Sequence, residues 1–361
     1  MKIMFVNHAM HCGGTDNVVN KLINIFLNDK NIQCELVTFR SPDEDFFKIP
    51  SEVKRYSLGF DSDDSENSGL SYFSSSNAKM LFSLRKIIKD SNPDFIVTNW
   101  TSTNCFTLLA SLFLAKKVIC YEHIHFDSPS IVWRVLRRLL YPYAHKVLCL
   151  TESDQKKYQK FCTSIKTINP ITLVKPKNIP AYEDRQKQFL AVGRLDPQKG
   201  FDNLLKAYSL IHHKCPEWKL KIIGEGKERA NLEAQISELN LSSQVELLGA
   251  QNDVSKYYLQ SKAFILSSRY EGFGLVILEA QVCGAAVISF DCKTGPSDII
   301  TNNYDGILVQ DQSIEELARA MLDIAENDKL AKELIGNGLE TSKSYDDLHI
   351  LELWQSKIIN E

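Results

Sequence analysis

The sequence predicts an α/β protein of two Rossmann-like, doubly wound parallel-sheet domains facing a cleft, with a C-terminal closing helix. Three observations lead there. A length of 361 residues exceeds that of one compact domain. Short apolar runs alternate with amphipathic helical stretches, the rhythm of a parallel sheet wrapped by helices. That rhythm occurs twice, on either side of a polar stretch holding Pro176 and Pro180.

The first series runs Ile3–Asn7, Val18–Leu27, Cys34–Phe39, Ala78–Ile88, Phe95–Thr98, Val118–Tyr121 and Val147–Leu150, and defines an N-terminal domain over residues 1–174. Within it Asp61–Ser76, rich in Ser, Asp and Asn, reads as a mobile loop. Residues 175–187 lack periodicity and read as a linker. The second series runs Phe189–Val192, Leu204–Ile211, Leu220–Ile223, Leu232–Leu239, Val245–Leu248, Ala263–Leu266, Val276–Val282 and Val287–Ser289, giving a C-terminal domain over 188–344. Residues 345–361 carry Leu348, Leu351, Leu353, Trp354 and Ile358 at roughly helical spacing, a helix expected to pack back toward the N-terminal domain.

Composition narrows the function classes. A formal charge of −3 gives no global basic field, so no nucleic-acid partner is expected. Nine cysteines stand singly with no CxxC pair, the usage of reduced, mostly core thiols in a cytosolic protein rather than of a zinc site or disulfide framework. The apolar start is too short for a signal segment, and no stretch approaches the roughly 18–20 apolar residues of a spanning helix. The expected location is cytoplasmic, with any membrane contact peripheral.

Two segments carry the chemistry. Phe189–Asp202 is a strand, a loop with Gly193, Pro197 and Gly200, and then a helix. Such a loop sets cations beside a helix N-terminus, where anions are favoured. Arg194 can grip phosphate oxygens bidentately and Lys199 adds a point charge, so the pair suits a diphosphate. Ser267–Ala280 is again strand, loop and helix: Gly272 and Gly274, flanking Phe273, permit close backbone approach, and a helix starts near Leu275. Glu279 would lie one turn inside that helix, placed to accept two sugar hydroxyls, or else be an exposed helix residue; Glu271 would meet a donor sugar or cap the helix.

These segments resemble the diphosphate-binding loop and the Glu-x₇-Glu motif of glycosyltransferase family four, retaining enzymes of the GT-B fold, with Glu271 and Glu279 at the motif's spacing. The likeness continues through Asp291–Ile300 and Asn303–Val309, nearly the whole second half. It implies transfer of a hexose or N-acetylhexosamine from a nucleotide sugar, UDP-linked, to a hydroxyl of a glycan or lipid-linked glycan in polysaccharide assembly. Arg194 and Lys199 would serve the leaving diphosphate, Glu279 the ribose and Glu271 the sugar, with Gly272, Phe273, Gly274 and Leu275 against the donor. Loops at Gly224–Gly226 and Gly249–Val254 would wall the base, or simply turn and cap. No cofactor beyond the donor is implied.

In the first half, Gly13-Gly14-Thr15-Asp16 resembles the family's Gly-Gly loop at the donor phosphates, departing from the usual continuation at Asp16 and Asn17; it is not a dinucleotide fingerprint. His123, in Tyr121-Glu122-His123-Ile124-His125 at a strand end, corresponds to a histidine that contacts the donor sugar. Arg134, Arg137, Arg138 and Tyr141 share one helical face with apolar residues opposite. That face would meet anionic lipid or a lipid-linked diphosphate, or else be a solvated surface over a core stripe. Asp43-Glu44-Asp45 and Asp61-Ser62-Asp63 satisfy Asp-x-Asp, but neither follows a buried strand, so no metal requirement is expected. Two alternatives share the plan, a non-hydrolysing UDP-sugar epimerase and a non-catalytic nucleotide-sugar-binding subunit.

Overall fold

Alternating buried strands and amphipathic helices give two sheets, parallel throughout, in the computed structural model, which describes residues 1–11, 13–59 and 75–359. The first sheet holds β1 (Lys2–Asn7), β2 (Gln33–Thr38), β3 (Lys54–Ser57), β4 (Phe95–Asn99), β5 (Lys117–Tyr121), β6 (Lys146–Cys149) and β7 (Ser164–Lys166). Their order is β3-β2-β1-β4-β5-β6-β7. The second sheet holds β8 (Gln186–Val192), β9 (Lys219–Ile223), β10 (Val245–Leu247), β11 (Ser261–Leu266), β12 (Ala286–Phe290) and β13 (Ile307–Val309), ordered β10-β9-β8-β11-β12-β13. Central strands such as β4, β11 and β12 are buried along their whole length, as strands covered on both faces must be.

In each sheet the chain builds outward on one side, then returns to start the other. The reversal falls between β1 and β4 in the first sheet and between β8 and β11 in the second. Open α/β sheets bind ligands outside the carboxyl ends of their strands at such a reversal. The loops that follow β1, β4, β8 and β11 are therefore the ones to inspect.

Helices form where an apolar stripe meets a start signal. Gly14–Leu27 buries Val18, Val19, Leu22, Ile23 and Phe26. Ile314–Glu326 is capped by Ser313, whose Oγ accepts from the Glu316 N–H at 3.4 Å. The second core is anchored by Trp218 stacked on Phe189, ring centroids 4.5 Å apart.

The chain divides into Met1–Pro170 with Asp347–Glu361, and Ile171–Asp346. The first boundary thus falls before residue 174, and residues 175–187 are no free linker. Tyr182 is buried and donates its hydroxyl to Asp328 at 3.1 Å. The Arg185 guanidinium is buried on the carbonyls of Pro180, Tyr258, Ser261 and Cys283. Gln186 and Lys187 already belong to β8.

The C-terminal stretch is a helix, Asp347–Leu353, followed by a wider turn over Trp354–Ile359. It belongs to the first unit, where Trp354 is fully buried against Phe26 and Tyr121. Most of the loop expected at Asp61–Ser76, with Asp61-Ser62-Asp63, lies outside the described residues, and Ser75 and Ser76 open the helix Ser75–Ser91. In the other Asp-x-Asp, Asp45 is ion-paired with Arg55 at 3.0 Å. The eight described cysteines are free thiols, all but Cys162 buried.

The helix Ile131–Leu140 corrects one expectation. Arg137 and Tyr141 are buried, not on a basic surface. Arg137 donates to the Phe126 carbonyl at 2.9 Å and the Tyr158 hydroxyl at 3.1 Å, with its guanidinium 4.0 Å from the Phe126 ring centroid. That burial turns Ile131, Val132, Val135 and Leu139 outward, beside exposed Arg138 and half-buried Arg134.

Candidate active site

The loops after β8 and β11 lock onto each other. Gly200 sits in left-handed backbone (φ 62°), and a Cβ there would lie 2.1 Å from the Ser267 carbonyl oxygen, so this approach needs glycine. The Arg269 N–H donates to the Gln198 carbonyl at 2.8 Å, and Ser267 Oγ to the Lys199 carbonyl at 2.9 Å. The Arg269 side chain reaches back to the Pro197 carbonyl at 2.6 Å and to both Asp202 carboxylate oxygens at 2.9 and 2.7 Å. None of these partners is visible as a pair in the sequence.

This lock brings together Lys199 and Glu271, 72 residues apart in the chain. Lys199 Nζ lies 2.6 Å from Glu271 Oε1, with both side chains largely buried. Ser268 Oγ donates to the same oxygen at 2.6 Å, and the Thr294 hydroxyl holds the Glu271 carbonyl at 2.5 Å. The carboxylate orients the ammonium, whose remaining hydrogens are available to an incoming anion. Glu271 is not a helix cap: the helix Leu275–Val282 starts from Gly274.

Glu279 lies on that helix and is not a solvated residue. It accepts from the Thr172 hydroxyl at 2.7 Å and the Tyr258 hydroxyl at 3.2 Å. Burial raises its carboxyl above the usual range, opposed by those bonds and by the Lys199 charge. Arg194 is different: its side chain is 77% exposed and pairs with Asp196 at 3.1 Å. A loose surface pair of this kind leaves the guanidinium free to exchange partners. Phe273 is buried, Gly272 and Leu275 partly so, all on the loop between Glu271 and the helix. Asp253 lies just before the helix Ser255–Gln260 and accepts from the Ser255 N–H at 3.0 Å. Among the described residues no group of three His, Cys, Asp or Glu side chains is gathered as metal ligands.

In the first unit, Gly13 and Gly14 follow β1 and start the helix Gly14–Leu27, while His123 follows β5. β4 lies between those strands. The His123 ring is buried on Tyr121, centroids 4.1 Å apart, with Nε2 2.9 Å from Asn99 Oδ1. Burial lowers its pKa to about 3, so the imidazole is neutral. Glu122 beside it is buried with Thr101, Asn104 and Tyr141 as donors.

Asp16 accepts from Asn7 Nδ2 at 2.9 Å, yet burial pushes its carboxyl from 3.8 up to about 6, against the pull of Asn7 and His11. The folded chain therefore binds this proton more tightly than the unfolded one. Stability attributable to Asp16 falls as pH rises from about 4 to 6. Asp16→Asn is expected to raise the melting temperature at pH 7 and to flatten its pH dependence across that window, read by thermal unfolding from pH 4 to 7.

Comparison with known proteins gives the context for this geometry. The family model described as glycosyl transferases group 1 matches residues 175–341. The chain is similar to the amylovoran biosynthesis glycosyltransferase AmsD of Erwinia amylovora, 29% identical over 98% of this chain and 97% of that one. It is equally similar, at 29% over 98% and 97%, to an alpha-1,4-N-acetyl-D-galactosaminyltransferase of Campylobacter jejuni whose name specifies a glycan on PP-undecaprenol. An uncharacterized glycosyltransferase of Haemophilus influenzae is 32% identical over 75% of this chain and 78% of its own. Anabaena Alr3699/HepE, solved in complex with UDP and glucose, shares the fold with a TM-score of 0.80 at 19% identity, each chain covered fully. Two parallel α/β units, a locked lysine–glutamate pair at the second reversal and these relatives agree: the chain belongs to the group 1 glycosyl transferases, the GT-B enzymes of the family-four type.

Proposed function

We propose that the chain is a retaining transferase that moves a hexose or N-acetylhexosamine from a UDP-sugar to a hydroxyl of a glycan or lipid-linked glycan in surface polysaccharide assembly. The observation that carries this reading is the Lys199–Glu271 pair at the β8/β11 reversal, on the same loop as the exposed cation of Arg194. The donor is held by the second unit and the acceptor by the first. UDP in the complex of HepE and PP-undecaprenol in the name of the Campylobacter relative support the donor and acceptor classes.

In the proposed reaction the anomeric carbon–oxygen bond to the β-phosphate breaks while a bond to the acceptor oxygen forms on the same face. Charge grows on the departing phosphate, where Arg194 and Lys199 stabilise it. The acceptor proton passes to that phosphate oxygen, leaving UDP and the new glycoside. Glu271 fixes Lys199 and addresses the sugar, and Glu279 takes the ribose hydroxyls. The two cations fill the role that a divalent ion would have, so transfer should persist in EDTA.

A thermal-shift screen of UDP-, GDP- and ADP-sugars tests the donor. A UDP-sugar at 100 times its Kd should stabilise by about 2.7 kcal/mol. Stabilisation by none of them removes the reading, and an epimer formed without acceptor replaces it with the epimerase.

Peripheral membrane contact is proposed through the outward face of Ile131–Leu140, with Ile131, Val135 and Leu139 entering the headgroup boundary and Arg134 and Arg138 facing anionic lipid. Arg137 has no part in it. No helix among the described residues is long and apolar enough to cross a membrane. Leu139→Glu with Arg138→Glu is expected to abolish co-flotation with phosphatidylglycerol vesicles, against clear flotation of the wild type; equal flotation of both excludes this face.

A further inference from the structure

Trp100 has an unusual place in the first unit. It directly follows β4, one of the two strands that flank the β1/β4 reversal, the counterpart of the β11 position from which Glu271 is presented in the second unit. Its backbone has φ 72° and ψ 138°, a region that suits glycine and is sterically costly for a bulky side chain. The residues on either side hold it there. Asn99 is tied to His123 at 2.9 Å, and the Thr101 hydroxyl donates to Glu122 at 2.9 Å.

Trp100 is not a core tryptophan. Trp218 and Trp354 are fully buried, whereas Trp100 is 36% exposed. Beside it, the fully buried Asn99 spends its Oδ1 on His123 and leaves Nδ2 with no hydrogen-bond partner. Strain held by over-determined neighbours at a ligand-binding edge is a mark of function rather than of stability. A partly exposed indole at that edge matches a pyranose ring, which has an apolar C–H face.

We propose that Trp100 is an acceptor-binding residue on which the receiving sugar ring stacks. The proposal rests on the reading that the first unit holds the acceptor. It assigns the indole to acceptor recognition and leaves donor binding to the second unit.

The test uses full-length protein, the UDP-sugar that stabilises it, and octyl glycosides of glucose, galactose, N-acetylglucosamine and N-acetylgalactosamine as acceptors. Wild type should show a glycoside-dependent change in tryptophan emission, lost in both Trp100→Phe and Trp100→Gly. The acceptor KM should rise about tenfold in Trp100→Gly and less than about threefold in Trp100→Phe, with donor KM moved less than twofold in either. Glycine adopts that backbone without strain, which offsets the lost indole contacts, so Trp100→Gly should fold and melt within about 4 °C of wild type.

Unchanged acceptor KM in Trp100→Gly overturns the proposal. So does a melting temperature lowered beyond that range with donor and acceptor KM shifted together, the pattern of a structural residue. Absence of any emission change in a wild type that binds a UDP-sugar overturns the Trp100 assignment alone. Absence of UDP-sugar binding overturns the transferase reading beneath it.

Discussion

Replacing Lys199 with alanine should lower kcat by about 10²–10³-fold, the usual effect of deleting one preorganised group that meets charge in a transition state. The expectation follows from its setting. Lys199 is held 2.6 Å from Glu271 in a largely buried site, so its charge is oriented before the donor arrives and needs no reorganisation when the phosphate departs. The variant also strands the Glu271 carboxylate, with only the Ser268 hydroxyl to donate to it. Loss of one partner of a buried pair costs about 3 kcal/mol.

The two effects separate in a second variant. Lys199→Met combined with Glu271→Gln removes both charges while keeping bulk, so most of the melting temperature should return while kcat stays low. UDP release at saturating donor, alongside calorimetric unfolding, measures both. A Lys199→Ala enzyme within fivefold of wild-type kcat would show that the diphosphate charge is met elsewhere and take Lys199 out of the mechanism.

Legibility in the sequence followed local patterning. Strands buried on both faces, such as Phe95–Asn99 and Ala286–Phe290, open with apolar runs, Phe95 to Val97 and Ala286 to Ile288, and stand out. Lys54–Ser57 and Ser164–Lys166 do not, because their sheet positions rest on pairing with β2 and β6 rather than on apolar content. The residue types of the loops after β8 and β11 are also readable: glycine where backbones touch, cations before a helix, carboxylates at fixed spacing.

Their partners were not. Asp202 with Arg269, Thr172 and Tyr258 with Glu279, and Ser268 and Thr294 with Glu271 are polar residues whose pairing depends on which strands lie side by side. Spacing also puts Arg137 on a basic face, whereas the fold buries it. Nothing in a helical wheel reveals that Phe126 and Tyr158 supply a burial site for a guanidinium. The strap at Tyr182–Arg185 looked like a linker for the same reason, since its partners Asp328, Ser261 and Cys283 are far along the chain.

The loop that carries Arg194 depends on one atom's absence, and that gives the second large effect. Gly224, at the end of β9, has φ 144°, and a Cβ there would sit 1.8 Å from the Gly193 carbonyl oxygen. The obstacle is backbone on a loop already fixed from both sides. The Gly193 N–H donates to the Ile223 carbonyl, and the Leu195 N–H to the Glu225 carbonyl, each at 2.9 Å. A side chain cannot rotate away to make room, so the two loops must part.

Gly224→Ala should therefore cost about 3–5 kcal/mol, strain and overpacking acting together, where an ordinary surface Gly→Ala is neutral or stabilising. Parting the loops also shifts Gly193–Leu195, and Arg194 moves with them. Donor affinity should fall even in protein that remains folded at low temperature. Gly336→Ala is the control, because a Cβ there meets nothing within 4 Å and its helix should gain from the change. Urea unfolding of the two variants, with UDP-sugar titrations of each at 10 °C, reads both consequences. A Gly224→Ala protein as stable as Gly336→Ala would mean that the β8 and β9 loops do not lie backbone to backbone, and the placement of Arg194 would fall with that contact.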